Sequence, residues 1–328
     1  MEPASAKRKR NNTEIHTMTD EYTYEISNVS DEYTDILANH PHQCSAFGIF
    51  YSKQHGCTQR YIRIKKDRKL ILQCLYFIKG KGAEMISQIP AGKIINSVTE
   101  KVIPELRIIT GPVFLTECDT EELISYMIHI ICKEHHTKRV IADFTTSYGS
   151  EKWATYVVNL MKTEEELLKN VDKNARYEIR KNIDKVKVFM ANDEEHLKVY
   201  EQVLKEKREN NDINYMPPAY PNKLMVDCFG DECQVFFVEY KGEIIAASGT
   251  LAFKDYIIDL GVGVGKHSDV NIGEVLKWEI MKYARKKGYK YYDFVGVVPE
   301  GQGDEKEKAI RFFKSKFGGE YKEYGVLR

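Results

Sequence analysis

Four basic side chains near the middle of the sequence have the spacing of one helix face. Thr163 and Glu166 form a capping-box pattern ahead of an apolar stripe, which predicts a single helix over residues 163–187. The cations on it are Lys169, Lys173, Arg176 and Arg180, at i, i+4, i+7 and i+11. Such a row could follow a phosphate backbone. The alternative is a solvated face, because acidic residues are interleaved with the cations.

A second basic concentration lies between Lys282 and Lys316 and includes Lys286. Within it, the Gly-rich, charged segment GVVPEGQGDEKEK opens a helix, and its acidic residues are ordinary near a helix N-terminus. We expect this loop to lie beside the active site, where it could close over a substrate.

Two carboxylates, Asp259 and Asp293, lie near the ends of strands that would border a cleft. They are candidate proton acceptors in catalysis. The alternative for Asp293 is a structural role, in which it caps the loop that follows. His135 and His136 lie together at a helix end without further ligands, so no metal site is predicted.

The elements that must position these residues form two similar series. In the first half, RYIRI and LILQCLYFI predict a hairpin around a charged turn at residues 66–68. The strand ELRIITGPVFL follows it. Asp119 then caps an apolar-periodic helix that leads to the strand RVIADF.

In the second half, the strands QVFFVEY, EIIAASGTLAF and YIIDLGV precede a helix that Asn271 caps, with Glu274 completing a capping box. The helix stops at Gly288, and the strand KYYDFVG follows. The predicted helix cap precedes an Asp-Phe pair by 24 residues in the first half (Asp119 to Asp143) and by 22 residues in the second (Asn271 to Asp293). This repeated order resembles two GNAT acetyltransferase halves, so we predict an α+β fold with two GNAT-like (acyl-CoA N-acyltransferase-like) mixed-sheet domains in tandem. Chance similarity of two α+β units is the alternative.

The length of 328 residues fits two domains of about 150 residues each. We predict a disordered basic tail over 1–24, an N-terminal domain over 25–150 and a C-terminal domain over 151–328. The tail contains the basic run at 7–10, for which a nuclear-import or anionic-surface tag is the alternative.

The formal net charge is zero, so any anionic partner must be held by a local patch. Seven cysteines form no CxxC set and fit buried or free thiols in a reducing cytosol. No run approaches the ~18 apolar residues of a membrane span, and no apolar signal segment follows the N-terminus. We therefore predict a cytoplasmic protein with no transmembrane segment.

Several segments together resemble the FemABX peptidyltransferases, which add amino acids to peptidoglycan precursors. They are RFFKSKFGG, GYKYYDFVGV, EVLKWEIMKYARKKG and NLMKTEEELLKNVDKNARYEIRKN, with fainter likeness in HPHQCSAFGIFYSK and RIITGPVFL. The family implies twin GNAT-like domains, an aminoacyl-tRNA donor and an amine acceptor. Because the chain has no long coiled-coil arm, it resembles the compact FemX type.

The resemblance also implies site residues. Lys314 matches the cation at the reacting centre, with Phe313 beside it, and Arg208 matches a basic residue that holds acceptor phosphates. Lys53 matches a basic position of the N-terminal domain more loosely. Considered without the family, Lys314 would be read as a snorkelling surface lysine and Arg208 as an exposed helix residue. Asp259 stands where relatives carry an aromatic residue, which leaves the acceptor open.

These features predict an N-acyltransferase with no cofactor. The FemABX resemblance implies that it transfers an amino acid from aminoacyl-tRNA to an amino group of a cell-envelope, peptidoglycan-like precursor or another small or peptide-bearing acceptor. A lipid-linked acceptor would add peripheral membrane contact. A lysine that donates to the oxyanion of the tetrahedral intermediate would lower the activation free energy of transfer by about 3 kcal/mol.

Two alternatives stay open. An acyl-CoA-dependent GNAT enzyme would bind a pyrophosphate at the N-terminus of the helix that begins near Asn271. The segment GVGVGKHSDVNIG is Gly-rich, but the usual signature is absent, and Asp269 would repel a diphosphate. The other alternative is a non-catalytic RNA- or protein-binding module.

Overall fold

The computed structural model describes residues 14–17, 22–80, 104–209, 220–265 and 270–328. The chain divides into two compact units. The first unit comprises residues 1–38 and 51–143, and the second comprises 39–50 and 144–328. The predicted boundary at 150/151 therefore lies a few residues beyond the observed one, and the short segment 39–50 was not assigned to the second unit.

The first unit is built on a sheet with the order β1-β2-β3-β4-β5-β7, and β6 pairs with β4. The pairs from β1 to β5 are antiparallel. Its strands are β1 (Glu14–Thr17), β2 (Tyr22–Ser27), β3 (Thr58–Lys66), β4 (Lys69–Gly80), β5 (Pro104–Gly111), β6 (Val113–Phe114) and β7 (Val140–Phe144). Its helices are α1 (Glu32–Leu37), α2 (Ser45–His55, shared with the second unit) and α3 (Thr120–Glu134).

Two local predictions in the first unit are confirmed. β3 and β4 form the expected hairpin, and its turn places Asp67 and Arg68 at φ 49° and 66°, the conformation of a tight hairpin turn. Asp119 caps α3 by accepting hydrogen bonds from the backbone of Glu121 and Glu122. The helix buries its apolar stripe in the core.

The predicted N-terminal tail needs correction. Residues 14–17 and 22–24 lie in β1 and β2, and β2 pairs with β3 along its whole length. Tyr24 fixes β2 in the first unit, because its ring is buried and its hydroxyl donates to Glu134 Oε1 at 2.8 Å. The basic run at 7–10 lies outside the described residues.

The second unit contains a mixed sheet with the order β14-β8-β13-β12-β11-β10-β9. β12 and β13 are parallel, whereas the other pairs with a described register are antiparallel. Its strands are β8 (Glu151–Asn159), β9 (Lys187–Ala191), β10 (Cys233–Tyr240), β11 (Glu243–Phe253), β12 (Tyr256–Val264), β13 (Tyr291–Asp293) and β14 (Glu320–Leu327). Its helices are α4 (Glu164–Asn170), α5 (Lys173–Asn182), α6 (Glu194–Glu209), α7 (Lys223–Phe229), α8 (Gly273–Lys287) and α9 (Glu305–Ser315).

The prediction of one helix over 163–187 is wrong at Val171, which is extended at φ −66° and ψ 141°. Thr163 and Glu166 do form the capping box of α4. Asp172 then caps a second helix, α5, by accepting from the backbone of Asn174 and Ala175. A local side-chain bond to the backbone thus competes successfully with helix continuation.

The cap of α8 also differs from the prediction. The helix begins at Gly273, and its N-cap Ile272 makes no side-chain bond, so Asn271 does not cap it. Glu274 is buried and accepts from Lys316 Nζ at 3.0 Å instead of completing a capping box. The C-terminal end is as expected, with Gly288 at φ 90°.

Candidate functional site

The parallel strands β12 and β13 separate after three residue pairs, the last of which is Ile258 with Asp293. β12 continues to Val264, whereas the chain leaves β13 at Asp293. The register between β11 and β12 also shifts between Ser248 and Thr250. These irregularities open the sheet next to Asp259 and Asp293.

A buried ion pair lies at this opening. Lys277 Nζ of α8 is 2.5 Å from Asp259 Oδ2, and both side chains are 2% exposed. Lys277 also donates to Ser248 Oγ at 2.9 Å, and the Tyr292 hydroxyl donates to Asp259 Oδ1 at 2.5 Å. Burial lowers the pKa of Lys277 and raises that of Tyr292 well above its usual value.

This geometry argues against Asp259 as a catalytic base. Each of its carboxylate oxygens already accepts a hydrogen bond from a buried donor, Lys277 or Tyr292. Asp259 instead joins β12 to α8 across the core of the second unit, so we describe it as a positioning residue.

Asp293 ends β13 and is almost fully buried. Its Oδ1 accepts from the Thr155 hydroxyl and from the Val295 backbone at 2.7 Å, and its Oδ2 accepts from the Tyr256 hydroxyl at 3.1 Å. Burial raises the pKa of Asp293, although these hydrogen bonds oppose the shift. The bond from Val295 is the loop-capping interaction that was the structural alternative for this residue.

Lys314 of α9 reaches the loop that follows β13. Its ammonium donates to three consecutive backbone carbonyls, those of Phe294 at 2.7 Å, Val295 at 2.7 Å and Gly296 at 3.1 Å. Val295 has φ 43°, which is rare for a β-branched residue. The loop therefore holds a strained conformation in which three carbonyls converge on one cation.

The pKa of Lys314 is lowered to about 8, mainly because burial disfavours the charged ammonium. The charges of Asp259 and Asp293 act against this shift, whereas those of Lys277 and Lys207 add to it. Lys314 is thus electrostatically linked to both buried carboxylates. A lysine with such a pKa can donate to a developing oxyanion when charged and accept a proton when neutral.

Phe313, beside Lys314, packs into the core rather than toward the opening. Its ring lies 5.4 Å from that of Phe317, and a side chain at Gly273 would meet it at 3.3 Å. Lys316 Nζ is 5.5 Å from the same ring and also pairs with Glu274. Phe313 therefore fixes α9 against the first turn of α8.

His40 and Tyr256 extend the site and were not identified from the sequence. The His40 ring lies 5.2 Å from the ring of Tyr256, whose hydroxyl donates to Asp293. Burial lowers the pKa of His40 well below its usual value and that of His42 to about 4. The only available signal was HPHQCSAFGIFYSK, because His40 precedes its partner Tyr256 by more than 200 residues.

The remaining predicted binding residues are less informative. Lys53 lies in the last turn of α2, is exposed and belongs to the first unit. Arg208 lies near the end of α6, but its side chain falls outside the described part of the chain. Lys286 is exposed in the last turn of α8.

The four cations of the predicted stripe are divided between two helices. Lys169 ends α4, whereas Lys173, Arg176 and Arg180 lie on α5. The Arg176 guanidinium donates to the carbonyl of Lys169, so it caps α4. Lys173 and Arg180 remain exposed on α5, near the 62%-exposed ring of Tyr177.

The described residues contain no group of three or more side chains that could hold a metal ion. His135 lies 2.8 Å from the Tyr76 hydroxyl in the first unit, which accounts for its position. Among the described residues, no helix is long and apolar enough to cross a membrane.

The sequence and the fold were compared with those of known proteins. Residues 169–315 match the family described as "Acetyltransferase (GNAT) domain". The matched residues lie within the second unit and make up less than half of the chain. A comparison with curated protein sequences found no match.

Two solved structures show the fold of the whole chain. The crystal structure of FemX is 13% identical, covers 92% of this chain and 96% of its own, and has a TM-score of 0.69. A tandem GNAT protein from the clavulanic acid biosynthesis pathway is 11% identical, covers 93% and 97%, and has a TM-score of 0.50. The predicted tandem GNAT fold and the resemblance to FemX are confirmed at the level of the fold, and the match over residues 169–315 supports an N-acyltransferase.

We expect the buried ion pair to be required for stability. Lys277→Met or Asp259→Asn leaves an uncompensated buried group, so each should lower the free energy of unfolding by about 3–5 kcal/mol, with non-additivity in the double variant. Urea unfolding measures these values. Lys290→Met and Asp255→Asn break an exposed pair of 2.8 Å and provide the matched control, with an expected cost of at most about 1 kcal/mol. Equal costs for the two pairs would contradict the assignment.

The lowered pKa of Lys314 gives a second prediction. Between pH 8 and 10.5, the unfolded chain binds more protons at this lysine than the folded chain does. The stability of wild type relative to Lys314→Met should therefore rise with pH across this interval and level off outside it. Denaturant unfolding at several pH values checks the slope, with the exposed Lys198→Met variant as reference. A flat or falling difference would show that burial does not depress this pKa.

Proposed function

We propose that this chain transfers an amino acid from aminoacyl-tRNA to an amino group of a peptidoglycan-like precursor. The observation that carries the proposal is the Lys314 ammonium, fixed by three carbonyls where β12 and β13 separate, in a chain with the fold of FemX. Lys314 is also the residue that the FemABX resemblance assigns to the reacting centre.

Acyl transfer at this site would follow ordinary ester aminolysis. The acceptor amine attacks the ester carbonyl, a C–N bond forms, and the tetrahedral oxyanion then expels the ribose oxygen as the C–O bond breaks. Lys314 would stabilise the oxyanion through its positive charge, and one of its three N–H groups would turn from a backbone carbonyl to the oxyanion. The proton lost by the amine must reach the departing oxygen, and Lys314, with a pKa of about 8, can relay it.

Asp293 would assist this step through its charge. It is not free to bind the amine, because three donors already occupy its two oxygens. Its negative charge instead favours the ammonium form of Lys314. We therefore revise its role from proton acceptor to electrostatic partner of Lys314, with Tyr256 and His40 as supports.

The acceptor and donor surfaces remain proposals from the family resemblance and from charge. Arg208 and Lys53 would hold acceptor phosphates. Lys173 and Arg180 on α5, or the cluster around Lys286, would contact the tRNA backbone. A lipid-linked precursor would bring the protein to the cytoplasmic face of a membrane, which also fits the proposed cytoplasmic location.

An acyl-CoA donor is the second candidate, because the GNAT family match and the tandem GNAT neighbour both favour it. The first turn of α8 argues against it. Glu274 is buried there and paired with Lys316, so an acidic group occupies the helix N-terminus where a pyrophosphate would bind. Asp269, the other predicted repulsive residue, lies outside the described part of the chain.

The chemical role of Lys314 is tested by Lys314→Met, which keeps the apolar stem and removes the charge. We expect kcat to fall by roughly 10²-fold with KM little changed, because the contact with the oxyanion exists only in the transition state, whereas the three carbonyl contacts are lost from the free enzyme and the substrate complex alike. The assay follows loss of radiolabelled aminoacyl-tRNA in the presence of a soluble peptidoglycan precursor with a free side-chain amine. Near-normal kcat in a folded variant would refute the role.

The same assay separates the candidate donors. Lys198→Met removes an exposed lysine of α6 and controls for net charge. Transfer from acetyl-CoA but not from aminoacyl-tRNA would favour the second candidate. Binding of RNA without transfer from either donor would favour a non-catalytic module.

The basic surface of α5 is tested by the double variant Lys173→Gln and Arg180→Gln. Loss of two phosphate contacts should weaken tRNA binding and reduce the slope of log affinity against log salt by about two. Filter binding over a salt series gives the slope. The pair Lys187→Gln and Lys198→Gln makes the same charge change at other exposed lysines. Equal effects of the two pairs would show that α5 presents only a solvated face.

A further inference from the structure

A cavity lies in the second unit beside α9, the helix that carries Lys314, but Lys314 does not line it. Its volume is about 360 Å³, within the usual range for small-ligand sites. It is lined by β8, β14, α9 and the loop that precedes α9, through Tyr156, Tyr321, Phe312, Lys308, Arg311 and Glu300.

Three aromatic rings line this cavity. Tyr156 and Tyr321 are direct cross-strand partners, and their ring centroids are 5.5 Å apart. Phe312 is 67% exposed, although neighbouring Phe313 and Phe317 pack against the core. Lys316 Nζ lies 5.2 Å from the Phe312 ring centroid, and Phe312 and the two tyrosines together provide flat apolar surfaces on which a nucleic-acid base could stack.

The cavity also presents a positive charge. Arg311 is half-buried, and among the described residues its guanidinium makes no hydrogen bond or ion pair. Lys308 is exposed and pairs with Glu305 at 2.9 Å. Glu300 contributes the one acidic side chain among the lining residues of this cavity. A free guanidinium fork beside aromatic rings suits a phosphate attached to a base.

The cavity and the proposed reacting centre use residues of the same helix and the same strand. Arg311 precedes Lys314 by three residues on α9, a rise of about 4.5 Å along the helix. On β8, Tyr156 follows Thr155, which donates to Asp293. Thr155 and Tyr156 are successive residues of β8 and point to opposite faces of the sheet, so the cavity and the reacting centre share these elements without sharing side chains.

We propose that this cavity binds one nucleotide of the single-stranded 3′ end of an RNA donor, with its base on the aromatic rings and its phosphate on Arg311. This inference rests on the proposed aminoacyl-tRNA donor. It assigns the cavity to a nucleotide next to the one that carries the ester. The adenosine phosphate of coenzyme A has the same chemistry and is distinguished by the experiment.

The test uses the full chain and a 5′-fluorescein-labelled RNA tetranucleotide, ACCA, with fluorescence anisotropy as the readout. Arg311→Gln should weaken binding roughly tenfold and reduce the salt slope by about 0.7, because one phosphate contact is lost. Tyr156→Leu should also weaken binding roughly tenfold, whereas Tyr156→Phe keeps the ring and should stay within about twofold. Lys198→Gln is the charge control.

The outcomes separate this proposal from the proposed function. If Arg311→Gln and Tyr156→Leu bind the tetranucleotide like wild type, the cavity assignment is overturned. This holds even if the protein transfers amino acids from aminoacyl-tRNA. If both variants lose binding but wild type transfers nothing from aminoacyl-tRNA, the cavity assignment holds and the proposed function fails. Coenzyme A that displaces the tetranucleotide at lower concentration than unlabelled ACCA would overturn the RNA assignment.

Discussion

The contact between Lys314 and three consecutive carbonyls is the constraint on which the site of the second unit depends. An ammonium group has three protons, and each of them is directed at one carbonyl of residues 294–296. This contact compensates for the left-handed backbone at Val295, which would otherwise relax. Lys314 therefore ties the strained loop after β13 to the last turn of α9, and Asp293 holds the same loop through the Val295 backbone.

The buried pair of Lys277 and Asp259 complements this contact from the other side of the opening. It joins α8 to β12, while Lys314 joins α9 to the loop after β13. Lys277 and Lys314 thus lie near the buried carboxylates of Asp259 and Asp293. The two carboxylates raise the pKa of Lys314, and the charge of Lys277 lowers it. A buried ion pair contributes little net stability, but loss of either partner is costly, which ties the site to an intact fold.

Much of the fold could be predicted from the sequence because it depends on local signals. The charged turn at Asp67, the cap at Asp119 and the glycine stop at Gly288 each act on their own neighbours. The break between α4 and α5 was missed because Asp172 fits both a helix surface and a cap. Lys277 offered an unused signal, since it shares the apolar face of Ile280, Met281 and Ala284. Lys314 was found only through family resemblance, because its partners are carbonyls, which no sequence pattern marks.

The segment 39–50 has a consequence for how the protein is made. It belongs to the second unit, where Phe50 contacts Tyr220 and His40 contacts Tyr256, although the rest of that unit begins at residue 144. Chains emerge from the ribosome N-terminus first, so this segment must wait for some 200 further residues before its partners exist. At synthesis rates of about 5–20 residues per second, that interval is on the order of ten to forty seconds. Throughout that interval, Phe50 and His40 lack the ring partners that they have in the folded second unit.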